Sequence, residues 1–234
     1  MENKNYGVWG GVIIGVIVIV LALMYLVKSP TPPTPGSLTL PPVTASDWQK
    51  GQAGTSTPPL TLVEYSDFQC PACAVYYGLV KKLEAEYSTS TLFVYRHFPL
   101  PQHLDAKEAA YATEAAGKQG KFFEMHDILF EKQSEWGVDT HILPTDPTEI
   151  TPAMKAVLEP KLISYAQTLG LDMAKFKADM ASKEIHDKID QAILDGRAMG
   201  IPATPTFFLN GKQLENPNGY EDFKKIFDES LKKS

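Results

Sequence analysis

Leu60-Thr61-Leu62-Val63-Glu64-Tyr65-Ser66-Asp67-Phe68-Gln69-Cys70-Pro71-Ala72-Cys73 contains the change of period that decides how this chain folds. Its first six residues alternate, with Leu60, Leu62 and Glu64 on one side and Thr61, Val63 and Tyr65 on the other, the pattern of a strand. Ser66 to Gln69 then turn the chain into a predicted helix from near Cys70 to about Glu86, with Pro71 in the first turn, where its missing N–H does no harm. A second strand, Thr91 to His97, completes a strand-helix-strand unit long enough for a right-handed parallel crossover.

Beyond this unit the period becomes helical. Helices are expected over His103–Lys118, Lys121–Glu131, Ala153–Leu169, Met173–Ala181 and Glu184–Met199, with an irregular stretch from Trp136 to Thr151 that holds Pro144 and Pro147. Strand character returns at Thr206–Leu209, followed by the hairpin signal Asn210-Gly211, a strand at Gln213–Glu215 and an amphipathic helix from about Tyr220 to Lys233. The expectation is an α/β fold over residues 59–234 with a helical insertion at about 101–199.

The N-terminal side reads differently. Val8 to Val27 carries no charge and is bracketed by Lys4 and Lys28, long enough to cross a hydrocarbon core of ~30 Å. A cleavable signal peptide would end its apolar core in a small-x-small site, which Leu23-Met24-Tyr25-Leu26-Val27-Lys28 does not offer. Residues 1–28 are therefore expected to be one transmembrane anchor, with a thin positive-inside bias placing the N-terminus in the cytoplasm and the domain outside. Residues 29–58, rich in Pro, Thr and Ser, are expected to be a linker. Near its end Trp48 has either solvent or a pocket on the domain available to it, and both readings stand. The net charge of −6 and the lack of a long Lys/Arg run argue against nucleic acid as a partner.

Two cysteines at i and i+3 at a helix start put the first thiol where backbone N–H groups and the helix dipole stabilise a thiolate. Cys70 is the expected nucleophile and Cys73, one turn inward, the resolving thiol. A structural zinc site needs four ligands, two of which would have to come from five histidines scattered along the chain. A structural disulfide across so short a loop restricts little. No metal and no cofactor beyond a redox-active Cys70–Cys73 disulfide is expected. Glu64, six residues before Cys70 on the face shared with Leu60 and Leu62, is a carboxylate whose burial would raise its pKa and suit it to proton exchange with Cys73. A hydrogen-bonded or edge-exposed glutamate is the plain alternative. His97, His103 and His126 are read as scaffold.

The segment Leu62 to Cys73 resembles the active-site strand and helix of the DsbA-like thiol–disulfide oxidoreductases. So do Tyr95-Arg96-His97-Phe98-Pro99-Leu100, Gln119 to Asp127, and Gly200-Ile201-Pro202-Ala203-Thr204-Pro205-Thr206-Phe207-Phe208-Leu209-Asn210-Gly211, in order and spacing, over residues 47 to 234. The resemblance implies a thioredoxin fold interrupted by a helical domain, and a cis-proline at Pro205 facing the cysteine pair. It also implies a substrate surface of Thr204, Pro71 and Ala72, in which Thr204 pairs with a client strand beside Cys70. Glu64 falls where the family places its buried acid. The departure lies in Pro71-Ala72, which lacks the histidine found between the cysteines of strongly oxidising members, so an extreme potential is not implied.

The implied activity is introduction of disulfides into cysteine-containing secreted or membrane proteins, with reoxidation by a quinone-coupled membrane oxidase of the DsbB or vitamin-K-epoxide-reductase type. Two rivals stand beside it: a membrane-tethered reductase or isomerase using the same dithiol, and a peptide-binding or chaperone module that needs neither cysteine.

Overall fold

The computed structural model describes residues 38–51, 58–137 and 158–233. Five strands form one sheet in the order β1-β3-β2-β4-β5: β1 (Trp48–Gly51), β2 (Leu60–Ser66), β3 (Thr91–His97), β4 (Thr206–Leu209) and β5 (Lys212–Gln213). β2 and β3 pair in parallel, Glu64 opposite Tyr95, and α1 (Pro71–Tyr87) makes the crossover between them. β4 lies antiparallel on the other side of β2, with Glu64 opposite Phe207. β2 is thus central and covered on both faces. Leu60 and Leu62 pack with Val80 and Leu83 of α1 and with Phe223 and Phe227 of the C-terminal helix α8 (Tyr220–Leu231). Val63 and Tyr65 face the opposite way, onto Phe98, Ile201 and Phe208. Asn210 and Gly211 turn between β4 and β5 with positive φ, the backbone that an Asn-Gly hairpin requires.

Between β3 and β4 the described helices are α2 (Ala106–Gly117), α3 (Phe122–Glu131), the single turn α4 (Gln133–Trp136), α5 (Leu158–Thr168), α6 (Met173–Met180) and α7 (Lys183–Met199). Their core of Met125, Leu129, Trp136, Leu162 and Phe176 is continuous with Phe68 and both cysteines, so the inserted helices build one wall of the site. This is a thioredoxin-like α/β fold with a helical insertion.

The structure corrects several expectations. The predicted linker of residues 29–58 does not hold over residues 38–51: β1 pairs antiparallel with β3, from Trp48 opposite Tyr95 to Gly51 opposite Leu92. Leu38, Leu40 and Val43 pack on the sheet face formed by Val63, Tyr65 and Phe208. Arg96 grips Asp47 with Nε and Nη2 along one guanidinium edge, at 2.7 and 2.9 Å. The proline content that suggested a tether hid the apolar residues spaced among the prolines. The helix expected from His103 starts only at Ala106, because His103 belongs to the preceding turn. The segment 8–27, expected to cross a membrane, lies outside the described residues, and among those described no helix is long and apolar enough to do so.

Candidate active site

Cys70 is the N-cap of α1, with extended backbone (φ −70°, ψ 120°) and Pro71 as the first helical residue. The turn that delivers it is tied down on three sides. The Cys70 N–H donates to the Asp67 carbonyl at 3.1 Å. Gln133 of α4 donates to the carbonyls of Phe68 and Cys70, at 2.7 and 3.0 Å. The Asp105 N–H donates to the Gln69 side chain at 2.7 Å. A loop held by so many bonds presents its sulfur in one place, the condition for a site that must react without first ordering itself.

The two sulfurs are free thiols in unequal surroundings. Cys70 is 6% exposed and Cys73 wholly buried. The thiol and the backbone N–H of Cys73 both serve the Cys70 sulfur and, with the Thr204 side chain, hold its pKa below the usual thiol value, at about 6, against burial and the charge of Asp67. Burial pushes Cys73 the other way, well above the usual value, and the neighbouring Cys70 and Glu64 add to the rise. The two thiols are thus set in opposite directions, Cys70 towards thiolate and Cys73 towards the protonated form.

Glu64 lies on central strand β2, 7% exposed. Burial raises its pKa from 4.5 to about 7; the Ser66 hydroxyl opposes the shift, and Glu84 and Cys70 reinforce it. A cavity of about 20 Å³ beside it is lined by Leu62, Glu64, Glu84, Phe93, Tyr95 and His126, which is room for one water molecule. The hydroxyls of Ser66 and Tyr95 are buried next to this acid without a bond of good geometry. Glu84 leads outward, paired with Lys50 of β1 at 2.7 Å.

The fourth wall is the loop before β4. The Thr204-Pro205 peptide is cis, and the Thr204 carbonyl accepts from the Cys70 thiol at 3.4 Å. Asn216 donates to the Pro205 carbonyl at 2.8 Å and Thr206 to the Ala203 carbonyl at 2.7 Å. Thr204 is buried, whereas Pro71, Ala72, Pro202 and Ala203 are exposed around the cysteine pair. The structure therefore brings Cys70, Cys73, Glu64, Thr204, Pro205, Pro71 and Ala72 to one place. Sequence reasoning missed Gln133, Asp67, Asn216 and Glu84, whose deciding partners (the Phe68 and Cys70 carbonyls, His103, the Pro205 carbonyl and Lys50) lie in other segments of the chain. It also set His103 aside, and the structure puts its ring on Asp67 at 2.7 Å. Among the described residues no cluster of potential ligands could hold a metal ion.

A thioredoxin family model matches residues 50–229. The chain belongs to the thioredoxin family. A Cys70–Cys73 dithiol in a thioredoxin-family chain is the arrangement of a thiol–disulfide oxidoreductase. Among solved structures, the fold is similar to BdbD from Bacillus subtilis, with 22% identity, TM-score 0.65, and coverage of 83% of this chain and 98% of that one. It is also similar to alpha-DsbA1 from Wolbachia pipientis, with 21% identity, TM-score 0.65, and coverage of 82% and 94%. Over 194 residues the chain is 36% identical to a Na(+)/H(+) antiporter NhaA 1 of Mycobacterium sp. strain KMS, covering 80% of this chain and 27% of that protein. A Na(+)/H(+) antiporter NhaA 3 of Salinispora tropica is 36% identical over 169 residues, covering 72% of this chain and 22% of the antiporter. The chain thus spans only a small part of the length of these curated relatives.

Proposed function

We propose that this protein introduces disulfides into extracytoplasmic proteins by dithiol–disulfide exchange at Cys70–Cys73. The observation that carries the reading is the opposed environment of the two thiols, Cys70 held towards thiolate at the helix start and Cys73 buried beside Glu64. In the first step a substrate thiolate attacks the Cys70 sulfur of the oxidised pair. The Cys70–Cys73 bond breaks, and its electron pair leaves on Cys73, which takes the proton of Glu64. The second thiolate of the substrate then attacks its own sulfur in the mixed disulfide, closing the substrate disulfide and releasing Cys70 as a thiolate. Two electrons pass from substrate to enzyme. An acid with a pKa of about 7 gives and takes protons readily near neutrality.

Thr204 would pair through its backbone with a client strand laid over Cys70, with Pro71 and Ala72 as the floor. Clients are cysteine-containing secreted or membrane proteins. Reoxidation falls to a quinone-coupled membrane oxidase of the DsbB or vitamin-K-epoxide-reductase type. Residues 8–27 anchor the chain with its N-terminus in the cytoplasm, because thiol oxidation needs a non-reducing compartment.

The deciding measurement is the equilibrium reduction potential of the full chain against glutathione, with thiol trapping. A value of roughly −120 to −180 mV supports dithiol oxidation. A value near about −270 mV, that of thioredoxin, turns the pair into an electron donor and replaces this reading with a tethered reductase.

A further inference from the structure

Asp67 is fully buried three residues ahead of Cys70. Its Oδ1 accepts from the Gln69 N–H at 2.8 Å; its Oδ2 accepts from the Leu100 N–H and bonds His103 Nδ1, both at 2.7 Å. One carboxylate therefore ties the nucleophile's turn to the turn after β3. Its negative charge also opposes a thiolate at Cys70, and a buried carboxylate is costly unless it is paired. The His103 side chain that faces it is 7% exposed. The groups acting on His103 are Asp67 from the β2–α1 turn and Cys70 at the start of α1; Asp105 is the nearest acidic residue along its own turn. Burial favours the neutral ring, but Asp67 and Cys70 outweigh it and raise the His103 pKa.

We propose that His103 is a positioning residue for the exchange reaction: protonated on Asp67, it cancels the buried charge beside Cys70 and supplies from outside the Cys70–Cys73 turn the compensation that Pro71-Ala72 cannot. The sign follows directly. Without the imidazolium, Asp67 acts unopposed, the Cys70 thiolate and with it the reduced enzyme become less stable, and the dithiol becomes more reducing.

The inference rests on Cys70 being the exchanging thiol, which loss of turnover in Cys70→Ser tests separately. In the full chain, His103→Gln keeps an N–H for Asp67 and removes the charge. The midpoint of Cys70 alkylation against pH is expected to rise, with alkylation at mildly acidic pH slowed on the order of fivefold. His103→Gln combined with Asp67→Asn removes both charges and is expected to return the midpoint towards the parent value. A purely structural histidine would lower the melting temperature and leave the midpoint in place, and that result overturns the proposal; so does a double variant with no recovery. Should His103→Gln not fold, the unaltered protein still decides by linkage: the His103 ring, followed by NMR, must hold its proton to higher pH in the reduced than in the oxidised form. Identical titration in both forms overturns the proposal.

Discussion

Glu64 sits in the centre of a five-stranded sheet, and a carboxyl there must remain mostly neutral or destabilise the fold. Its pKa of about 7 in the folded protein lies above the ordinary 4.5, so between those values the folded state binds more protons than the unfolded one. Stability contributed by the neutral acid is then complete below the ordinary value and is lost as pH rises through about 7. The size is roughly 3 kcal/mol if the whole shift is realised. Glu64→Gln is expected to flatten this part of the pH–stability curve in urea melts and to stabilise the domain above neutrality. It is also expected to slow turnover, because Cys73 loses its proton partner. The cysteines divide in the same way. Cys73→Ser should accumulate a mixed disulfide on Cys70, visible as a client adduct on non-reducing gels, whereas Cys70→Ser should fold normally and form none.

At the scale of elements, β1 and α2 depend on each other through one tryptophan. Trp48 stacks on Phe122 with ring centroids 4.1 Å apart and donates its indole N–H to Glu114 at 2.7 Å. Glu114 is buried, and although burial alone would raise its pKa, His97 and Lys188 pull it down to about 2. Gly117 allows the close approach: a Cβ there would lie 2.3 Å from the Trp48 ring. Gly117→Ala is expected to cost about 1–3 kcal/mol by overpacking, and Trp48→Ala about 2–4 kcal/mol by lost burial and stacking. Calorimetric melts of the double variant should show a loss smaller than the sum, since the clash exists only with the tryptophan present. That dependence explains why β1 was hard to read from sequence. Trp-Gln-Lys-Gly has no usable alternation, and it becomes a strand only because β3 offers an edge and α2 offers a socket.

For the molecule as a whole, packing on the sheet already involves Leu38, Leu40 and Val43, well ahead of β1. Chains beginning at Leu38 are expected to melt like the full chain, and chains beginning at Gln52 at clearly lower temperature, because they lose Trp48, the Arg96–Asp47 pair and the Lys50–Glu84 pair. The proposed topology makes a separate demand: a membrane-impermeant maleimide added to intact cells should label reduced Cys70. Protection in intact cells with labelling after lysis would place the dithiol in the cytoplasm and favour the reductase reading.

Much was legible in the sequence because the signals were local. Period two then period 3.6 around Cys70 marks a strand entering a helix, two cysteines one turn apart mark a dithiol, and Asn210-Gly211 marks the final hairpin. The helical insertion shows itself by the same periodicity. Contacts between distant residues decided the rest. That Glu64 is enclosed depends on Tyr95 and Phe207 flanking it from two neighbouring strands. That Cys70 points at Thr204 depends on a loop 134 residues away, and that His103 serves Asp67 depends on a turn 36 residues distant. A pattern in one segment records which way its own side chains point; what they meet there is set by the segments packed against it, and only the tertiary fold brings those together.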